Sequence, residues 1–267
     1  PTDKFWKKPF VKSREGELVC LPPSALGLPM LEALLMPLYA QDKAFSSHIG
    51  GCFENTLYNI TKRNGLCISR GEWASGKLTG GESDMVIETS EYVIFCEIKK
   101  KPLTRKSRSG DDISLLTDIY KMFLCSQYQA LCHESRLREY GTIFLKDKDG
   151  SEYTIDLNGR QVDRISITLT DWGGLTDRTV AQVLLETLLR GNLHSDKAEY
   201  QEVLEKINKC LCDIREILKS IDKNMSGKDK KRWKLSTWFL TAPAFVHLVS
   251  VAGSEDEFHK RYKAVRF

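Results

Sequence analysis

The chain has 267 residues, of which 41% are hydrophobic and 28% are charged, and its formal net charge is +4. This composition is ordinary for a folded protein, and the length allows one elaborated domain or two smaller ones. No apolar run approaches the roughly 20 residues that a membrane-spanning helix needs, so no membrane partner is expected. The modest charge does not by itself argue for nucleic acid.

The eight cysteines are scattered, form no CxxC pair and have no histidines at zinc-ligand spacing. Most lie inside apolar segments, where a free cysteine behaves as a small buried hydrophobe. We therefore expect a reduced, intracellular protein with a cytoplasmic location.

The first part of the chain contains both helical and irregular segments. The stretch to about Pro23 is expected to be irregular, and a helix is predicted to begin at Pro29. A second helix is predicted over 45–63, because apolar residues recur there at helical spacing. Residues 66–69 are predicted to be a short strand, followed by a polar, glycine-rich loop that extends through Gly81.

The middle of the chain is predicted to alternate between strands and helices. Strand-like segments cover 84–89 and 92–99, with Ser90-Glu91 between them, and 111–139 is predicted to be one long helix. Further strands are predicted at 140–145, 153–157 and 164–169. This order of elements indicates an α/β or α+β fold.

The chain changes character at residue 176. A helix is predicted over 179–189, and a heptad pattern of apolar residues predicts another over 200–221. The heptad face suits packing against the same chain, which its short length favours, or a homodimer seam or the docking of a further domain. We therefore divide the chain into residues 1–175 and a mainly helical extension, residues 176–267.

Three ionisable residues stand out in the central pair of strands. Glu97 and Lys99 alternate along one strand, so their side chains project to the same side. If Ser90-Glu91 forms a two-residue turn, the pairing places Asp84 opposite Glu97, with Cβ atoms about 4.5–5.5 Å apart. Two carboxylates at that distance repel unless a cation lies between them, which predicts a divalent metal beside Lys99.

The rest of this hairpin is apolar on both faces, as expected in the middle of a covered sheet. Charged groups at the mouth of such a sheet carry a desolvation cost that a metal site offsets. The alternative is a surface hairpin whose acids and lysine form an ordinary ion cluster. The apolar strands favour the metal site.

The sequence Ser83-Asp84, a twelve-residue gap and then Glu97-Ile98-Lys99 resembles the motif of the PD-(D/E)xK nuclease superfamily. The order of predicted elements over about 45–169 is also similar to the core of that superfamily. The resemblance implies an α/β fold with a mixed central sheet flanked by helices, a restriction-endonuclease-like core, here followed by a helical C-terminal extension. The proline of the motif is replaced by Ser83, a change that removes no metal ligand.

The resemblance also implies roles for single residues. Asp84 and Glu97 would bind Mg²⁺ together with the carbonyl of Ile98, and Mn²⁺ is expected to substitute for it. Lys99 would position or activate the attacking water. Many members of the superfamily carry a glutamate on the preceding helix, and Glu54 is the best match, with a helix-surface acid as the alternative.

Other residues are candidates for supporting roles. The helix after the motif offers Gln127 and Lys121 as auxiliary residues. A basic run directly after Lys99 would lie beside the active site and contact a phosphate backbone. Its members are Lys100, Lys101, Arg105, Lys106 and Arg108. Trp172 suits packing better than stacking on a base, and no histidine is assigned a role.

The function that these features predict is a metal-dependent nuclease that hydrolyses phosphodiester bonds, with DNA favoured over RNA as its partner. A nuclease that serves as the effector domain of a larger protein would fit the C-terminal extension, by analogy only. The alternatives are a catalytically silent nuclease fold that binds nucleic acid or protein, and a scaffold in which the hairpin is structural. The intact set of Asp84, Glu97 and Lys99 favours the nuclease.

Overall fold

The computed structural model describes residues 10–20, 30, 34, 45–75, 78–223, 225 and 236–264. The strands in these ranges are β1 Phe10–Lys12, β2 Leu18–Cys20, β3 Ile68–Ser75, β4 Leu78–Glu88, β5 Tyr92–Lys99, β6 Thr142–Lys146, β7 Glu152–Asp156, β8 Gln161–Thr168 and β9 Thr237–Thr241. The helices are α1 Phe45–Arg63, α2 Arg105–Arg108, α3 Asp112–Ile119, α4 Cys125–Tyr140, α5 Arg178–Leu189, α6 Gln201–Lys223, α7 Ala242–Val251 and α8 Glu255–Ala264. A π-helical segment, Tyr120–Leu124, joins α3 to α4.

Seven of the strands form one mixed sheet in the order β7-β6-β3-β4-β5-β8-β9. The pairs β5–β8 and β8–β9 are parallel, whereas the other pairs are antiparallel. Strand β5 lies next to β4 and β8 and is buried from Val93 to Ile98, which explains the continuous apolar run at 93–96. The short strands β1 and β2 form a separate hairpin.

Helices cover both faces of this sheet. On one face, α1, α7 and α8 pack over alternate residues of the central strands, such as Met85, Ile94 and Ile98. On the other face, α4 packs over the residues between them, such as Val86 and Phe95. The fold is therefore α/β, with a mixed sheet flanked by helices, as the sequence predicts.

Several predicted elements agree with the structure, but two early segments differ. Helix 45–63 is confirmed, whereas the segment before Pro23, expected to be irregular, contains the hairpin of β1 and β2. The predicted loop through Gly81 is wrong, because β3 and β4 extend through it. An ideal Cβ at Gly81 would lie 2.7 Å from the ring of Trp73, so this glycine lets the indole lie across the strand.

The long helix predicted over 111–139 is interrupted. It consists of α3, the π-helical segment Tyr120–Leu124 and α4, and Gly141, in a left-handed conformation with φ +76°, caps the C-terminus of α4. A π-turn inserts an extra residue into the helical repeat and rotates the faces that follow it. Apolar periodicity alone did not reveal this insertion.

The chain after residue 176 is mainly helical, but it also completes the sheet. Strand β9 pairs with β8, so strands from both sides of the proposed boundary at residue 175 belong to the same sheet. Most heptad residues of α6, among them Ile207, Leu211 and Ile214, are buried, and α6 packs on α4. The heptad face therefore packs within its own chain. The helix predicted to begin at Pro29 lies almost wholly outside the described residues.

Two further features of the described residues concern membrane-spanning helices and cysteines. Within the described ranges, no helix has both the length and the apolar character to cross a bilayer. The cysteines whose side chains are described are all free thiols.

Candidate active site

The β4–β5 hairpin has the register that the sequence predicts. Met85 pairs with Cys96, and the N–H of Thr89 donates to the carbonyl of Tyr92 at 2.9 Å, which closes the turn. The same register, continued by one residue, sets Asp84 opposite Glu97. The alternation of side chains then places both carboxylates on the face that α4 covers, together with Lys99.

Lys99 joins the two carboxylates. Its Nζ lies 3.4 Å from Oε2 of Glu97 and 3.6 Å from Oδ2 of Asp84. The same oxygen of Asp84 accepts a 2.7 Å hydrogen bond from the N–H of Ile98. The side chain of Glu97 is fully buried, whereas those of Asp84 and Lys99 are 14% and 21% exposed. Solvent therefore reaches the cluster through Asp84 and Lys99.

Burial and charge shift the acid–base equilibria of this cluster. Burial, and then the charge of Glu97, raise the pKa of Asp84 to about 7, although Lys99 and the Ile98 N–H oppose the shift. Burial lowers the pKa of Lys99, but the carboxylates of Glu97 and Asp84 outweigh it, so the net shift is upward. Lys99 therefore stays cationic, and its single charge does not fully offset the two acids. An additional cation would be favourable here.

Glu54, the candidate on the preceding helix, lies at the edge of this cluster. It is half-buried on α1, and its pKa is raised by burial and by the charge of Glu82. Its charge acts on both Asp84 and Lys99. Among the described residues it has no hydrogen bond or ion pair with either of them. Glu54 therefore belongs to the electrostatic surroundings of the cluster rather than to its direct contacts.

The oxygen atoms available here fit Mg²⁺ in part. Oδ1 of Asp84 has no hydrogen-bond partner within the described ranges. The carbonyl of Lys99 accepts from Leu169 on the β8 side, so the backbone groups of Ile98 point to the opposite side, towards Asp84. No group of three or more His, Cys, Asp or Glu side chains in the described chain is arranged to hold a metal. Mg²⁺ commonly uses one or two carboxylates and keeps several waters, and this oxygen-only set suits that behaviour.

Two residues behind Glu97, one in contact with it and one in contact with the first, were not found by sequence reasoning. Nε2 of His133, on α4, lies 3.0 Å from Oε1 of Glu97, and the indole N–H of Trp73, on β3, donates to Nδ1 of His133 at 3.0 Å. Both contacts join residues far apart in the chain, so no local pattern reveals them. One usable signal was the spacing of His133, three residues after Ala130 and four before Leu137, which places it on the same buried face of α4.

The basic segment after Lys99 is folded around a buried acid. Asp118, on α3, pairs with Nζ of Lys101 at 2.9 Å and accepts from the N–H of Thr104 at 2.7 Å. It also accepts a 2.5 Å hydrogen bond from the hydroxyl of Ser107, and Thr104 caps α2. Lys101 therefore has a structural partner, which reduces its availability for a phosphate.

The other members of the basic segment differ in exposure. Arg105 and Lys106 are exposed on α2, whereas Arg108 is half-buried. Nζ of Lys100 lies 3.0 Å from the position of an ideal Cβ on Gly50, so this side chain lies against α1. Arg105 and Lys106 are thus the two most available for a phosphate backbone.

The auxiliary candidates do not join the carboxylates. Nε2 of Gln127 donates to Ser166 at 2.8 Å, and Oε1 accepts from Thr237 at 3.0 Å, which links α4 to β8 and β9. Lys121 is exposed on the π-helical segment. Neither contacts Asp84 or Glu97 among the described residues, so the structure does not bring either of them to the two carboxylates.

Comparison of the chain with protein-family models, with curated proteins and with solved structures gives no match. The geometry around Asp84, Glu97 and Lys99 is therefore the observation that bears on function.

Proposed function

We propose that the chain is a metal-dependent nuclease that hydrolyses phosphodiester bonds, with DNA favoured over RNA, and that it serves as the effector domain of a larger protein. The observation that supports this most is the convergence of Asp84 and Glu97 on Lys99, with Nζ–oxygen distances of 3.6 Å and 3.4 Å. The register that produces it also places the backbone of Ile98 beside the acids.

Burial distinguishes this cluster from an ordinary surface ion pair. Exposed pairs contribute little to stability, whereas burying charges costs several kcal/mol per ion unless other groups compensate. Glu97 is fully buried, and the pKa of Asp84 is raised to about 7 by burial and by Glu97. A site that keeps two acids together against this cost is better suited to a ligand than to structural support.

The side chains supply most of the requirements of phosphodiester hydrolysis. When bound, Mg²⁺ would supply positive charge that polarises the scissile phosphate and activates water. Asp84 and Glu97, with the carbonyl of Ile98, would hold the ion. Lys99 is cationic and partly exposed, so it can donate a hydrogen bond to a phosphate oxygen or to the attacking water.

The basic segment supports nucleic acid as the substrate. Arg105 and Lys106 are exposed a few residues after Lys99. Exposed cations that follow Lys99 this closely in sequence could bind the phosphates that flank the scissile bond, and each contact would release condensed counterions.

A catalytically silent fold that binds nucleic acid or protein is the second candidate. It is favoured by the engagement of both oxygens of Glu97, one by Lys99 and the other by His133. In the described part of the chain, no third acid completes the side-chain set. A silent protein would bind its partner without a divalent metal.

The deciding experiment incubates the protein with linear, circular and single-stranded DNA and with RNA, in Mg²⁺, Mn²⁺ or EDTA. We expect cleavage of DNA in Mg²⁺ or Mn²⁺ and none in EDTA. Glu97→Gln keeps the volume of the side chain but removes its charge, so cleavage should be lost. Glu202→Gln is the matched control, since Glu202 lies in an exposed ion pair with Lys206.

Each outcome of this assay has a definite meaning. Cleavage that persists in EDTA or in Glu97→Gln would locate the catalyst elsewhere. Binding of nucleic acid with no cleavage in any metal would favour the silent fold. Loss of cleavage in Glu202→Gln as well would mean that the assay reports folding rather than chemistry.

A further inference from the structure

Glu97 is connected to two residues behind it by a chain of hydrogen bonds. The indole N–H of Trp73 donates to Nδ1 of His133 at 3.0 Å, and Nε2 of His133 lies 3.0 Å from Oε1 of Glu97. His133 is 3% exposed, and Glu97 is fully buried. The hydrogen bonds therefore run from partly buried Trp73 on β3, through buried His133 on α4, to buried Glu97 on β5.

The donors in this series of hydrogen bonds determine the direction of each bond. An indole nitrogen can only donate, so Nδ1 of His133 must accept from Trp73. A neutral imidazole that accepts at Nδ1 carries its proton on Nε2, which then donates to Glu97. The other oxygen of Glu97 contacts Lys99. Both carboxylate oxygens therefore have a donor, and the plane of the carboxylate is fixed.

Packing holds the rings of Trp73 and His133 in place. The ring of Trp73 lies across Gly81, where an ideal Cβ would be only 2.7 Å away. The ring of His133 meets Trp73 at 83° with centroids 6.0 Å apart, and Phe95 lies against it at 5.3 Å. Rotation of the imidazole would therefore require the movement of two aromatic neighbours.

We infer that His133 and Trp73 are positioning residues, which hold the Glu97 carboxylate in the orientation that binds a divalent metal. This inference rests on the proposed function. A metal ligand whose orientation is fixed by neighbouring hydrogen bonds loses less freedom on binding, and loss of such a neighbour typically weakens metal affinity about 10–100-fold. In this role neither residue would contact the metal or the substrate.

The first experiment tests the hydrogen bonds without any metal or substrate. In ¹⁵N-labelled wild-type protein, long-range proton–nitrogen spectra report which nitrogen of His133 carries the proton. We expect protonation at Nε2 and an indole N–H of Trp73 that exchanges slowly. Protonation at Nδ1 would overturn the inference, because Nδ1 could then not accept from Trp73.

The second experiment measures the dissociation constant of Mn²⁺ for four variants. His133→Leu removes both hydrogen bonds and should weaken Mn²⁺ binding about 10–100-fold. His133→Gln keeps a donor at the position of Nε2 and should restore most of the affinity. Trp73→Phe removes one N–H and should give an intermediate loss. Trp172→Phe is the matched control, because its buried indole N–H has no partner among the described residues.

The outcomes separate the two proposals. Wild-type protein that binds no Mn²⁺ would overturn the proposed function and the metal role of both residues, while the nitrogen spectra would still decide the hydrogen bonds. Wild-type protein that binds Mn²⁺, with unchanged affinity in His133→Leu and Trp73→Phe, would overturn this inference alone. If His133→Leu does not fold, His133→Gln and Trp73→Phe still decide it.

Discussion

The substitution Asp84→Asn should stabilise the metal-free protein at alkaline pH, although it removes a proposed metal ligand. Burial and the charge of Glu97 raise the pKa of Asp84 from 3.8 to about 7 in the folded protein. Ionisation of Asp84 above that pKa therefore opposes folding. Asparagine cannot ionise, and its carbonyl can still accept the hydrogen bond from Ile98.

The size of the effect follows from the shift in pKa. Between pH 3.8 and about 7, the folded state keeps a proton that the unfolded state has lost, so this group makes stability fall as pH rises. Each unit corresponds to about 1.36 kcal/mol, which gives a total of about 4 kcal/mol over the window. Asp84 is 14% exposed, so solvent screening reduces this only modestly.

The assay is urea denaturation of wild type and Asp84→Asn in EDTA, at pH 5 and pH 8. The contributions of groups that do not interact with Asp84 cancel in the difference between the two proteins. The free energy of unfolding of the variant, relative to that of the wild type, should increase by up to about 3 kcal/mol from pH 5 to pH 8. Only about two of the three pKa units of the shift lie between these pH values. Mg²⁺ should then stabilise the wild type but not the variant.

Two results would refute this reasoning. A difference between the two proteins that does not change with pH would mean that Asp84 has a normal pKa in the folded state. A variant that is less stable than the wild type at pH 8 would mean that the charge of Asp84 supports the fold through Lys99.

Three further predictions concern other parts of the molecule. Lys99→Met should reduce turnover about 10²–10³-fold, yet leave Mn²⁺ affinity unchanged or tighter, because a competing cation is removed. Asp163→Asn should lower the free energy of unfolding by about 1.5–3 kcal/mol in urea denaturation, since buried Asp163 on β8 accepts from Tyr262 of α8. Arg105→Gln/Lys106→Gln should weaken DNA binding and flatten its salt dependence by about 0.9 for each phosphate that the variant no longer binds.

Each of these predictions has a control and a contrary result. Lys206→Gln/Lys209→Gln removes two exposed charges from α6 and should leave turnover, Mn²⁺ affinity and the salt dependence of DNA binding unchanged. Glu205→Gln, also exposed, should change the free energy of unfolding by less than about 0.5 kcal/mol. Normal turnover in Lys99→Met, wild-type stability in Asp163→Asn, or an unchanged salt slope in the Arg105/Lys106 variant would contradict the respective prediction.

The sequence was informative where a local pattern is sufficient. Alternation along two strands and a two-residue turn predicted the register of the hairpin, which the pairing of Met85 with Cys96 confirms. The spacing of apolar residues predicted helix 45–63 and the heptad helix, because both depend on residues three and four positions apart. The proximity of Asp84, Glu97 and Lys99 could be predicted for the same reason.

Other features required contacts between distant segments. Gly81 was predicted to lie in a loop, but it lies in β4, where Trp73 packs across it. The sequence assigned His133 no role, because its contact with Glu97 depends on the packing of α4 over β5. The pairing of Lys101 with Asp118 likewise depends on how α3 packs against the chain after β5. Local periodicity determined the strand register and the pairing of the two acids. Only the packing of helices onto the sheet decided which groups are buried beside those acids, since burial and long-range hydrogen bonds depend on the whole fold.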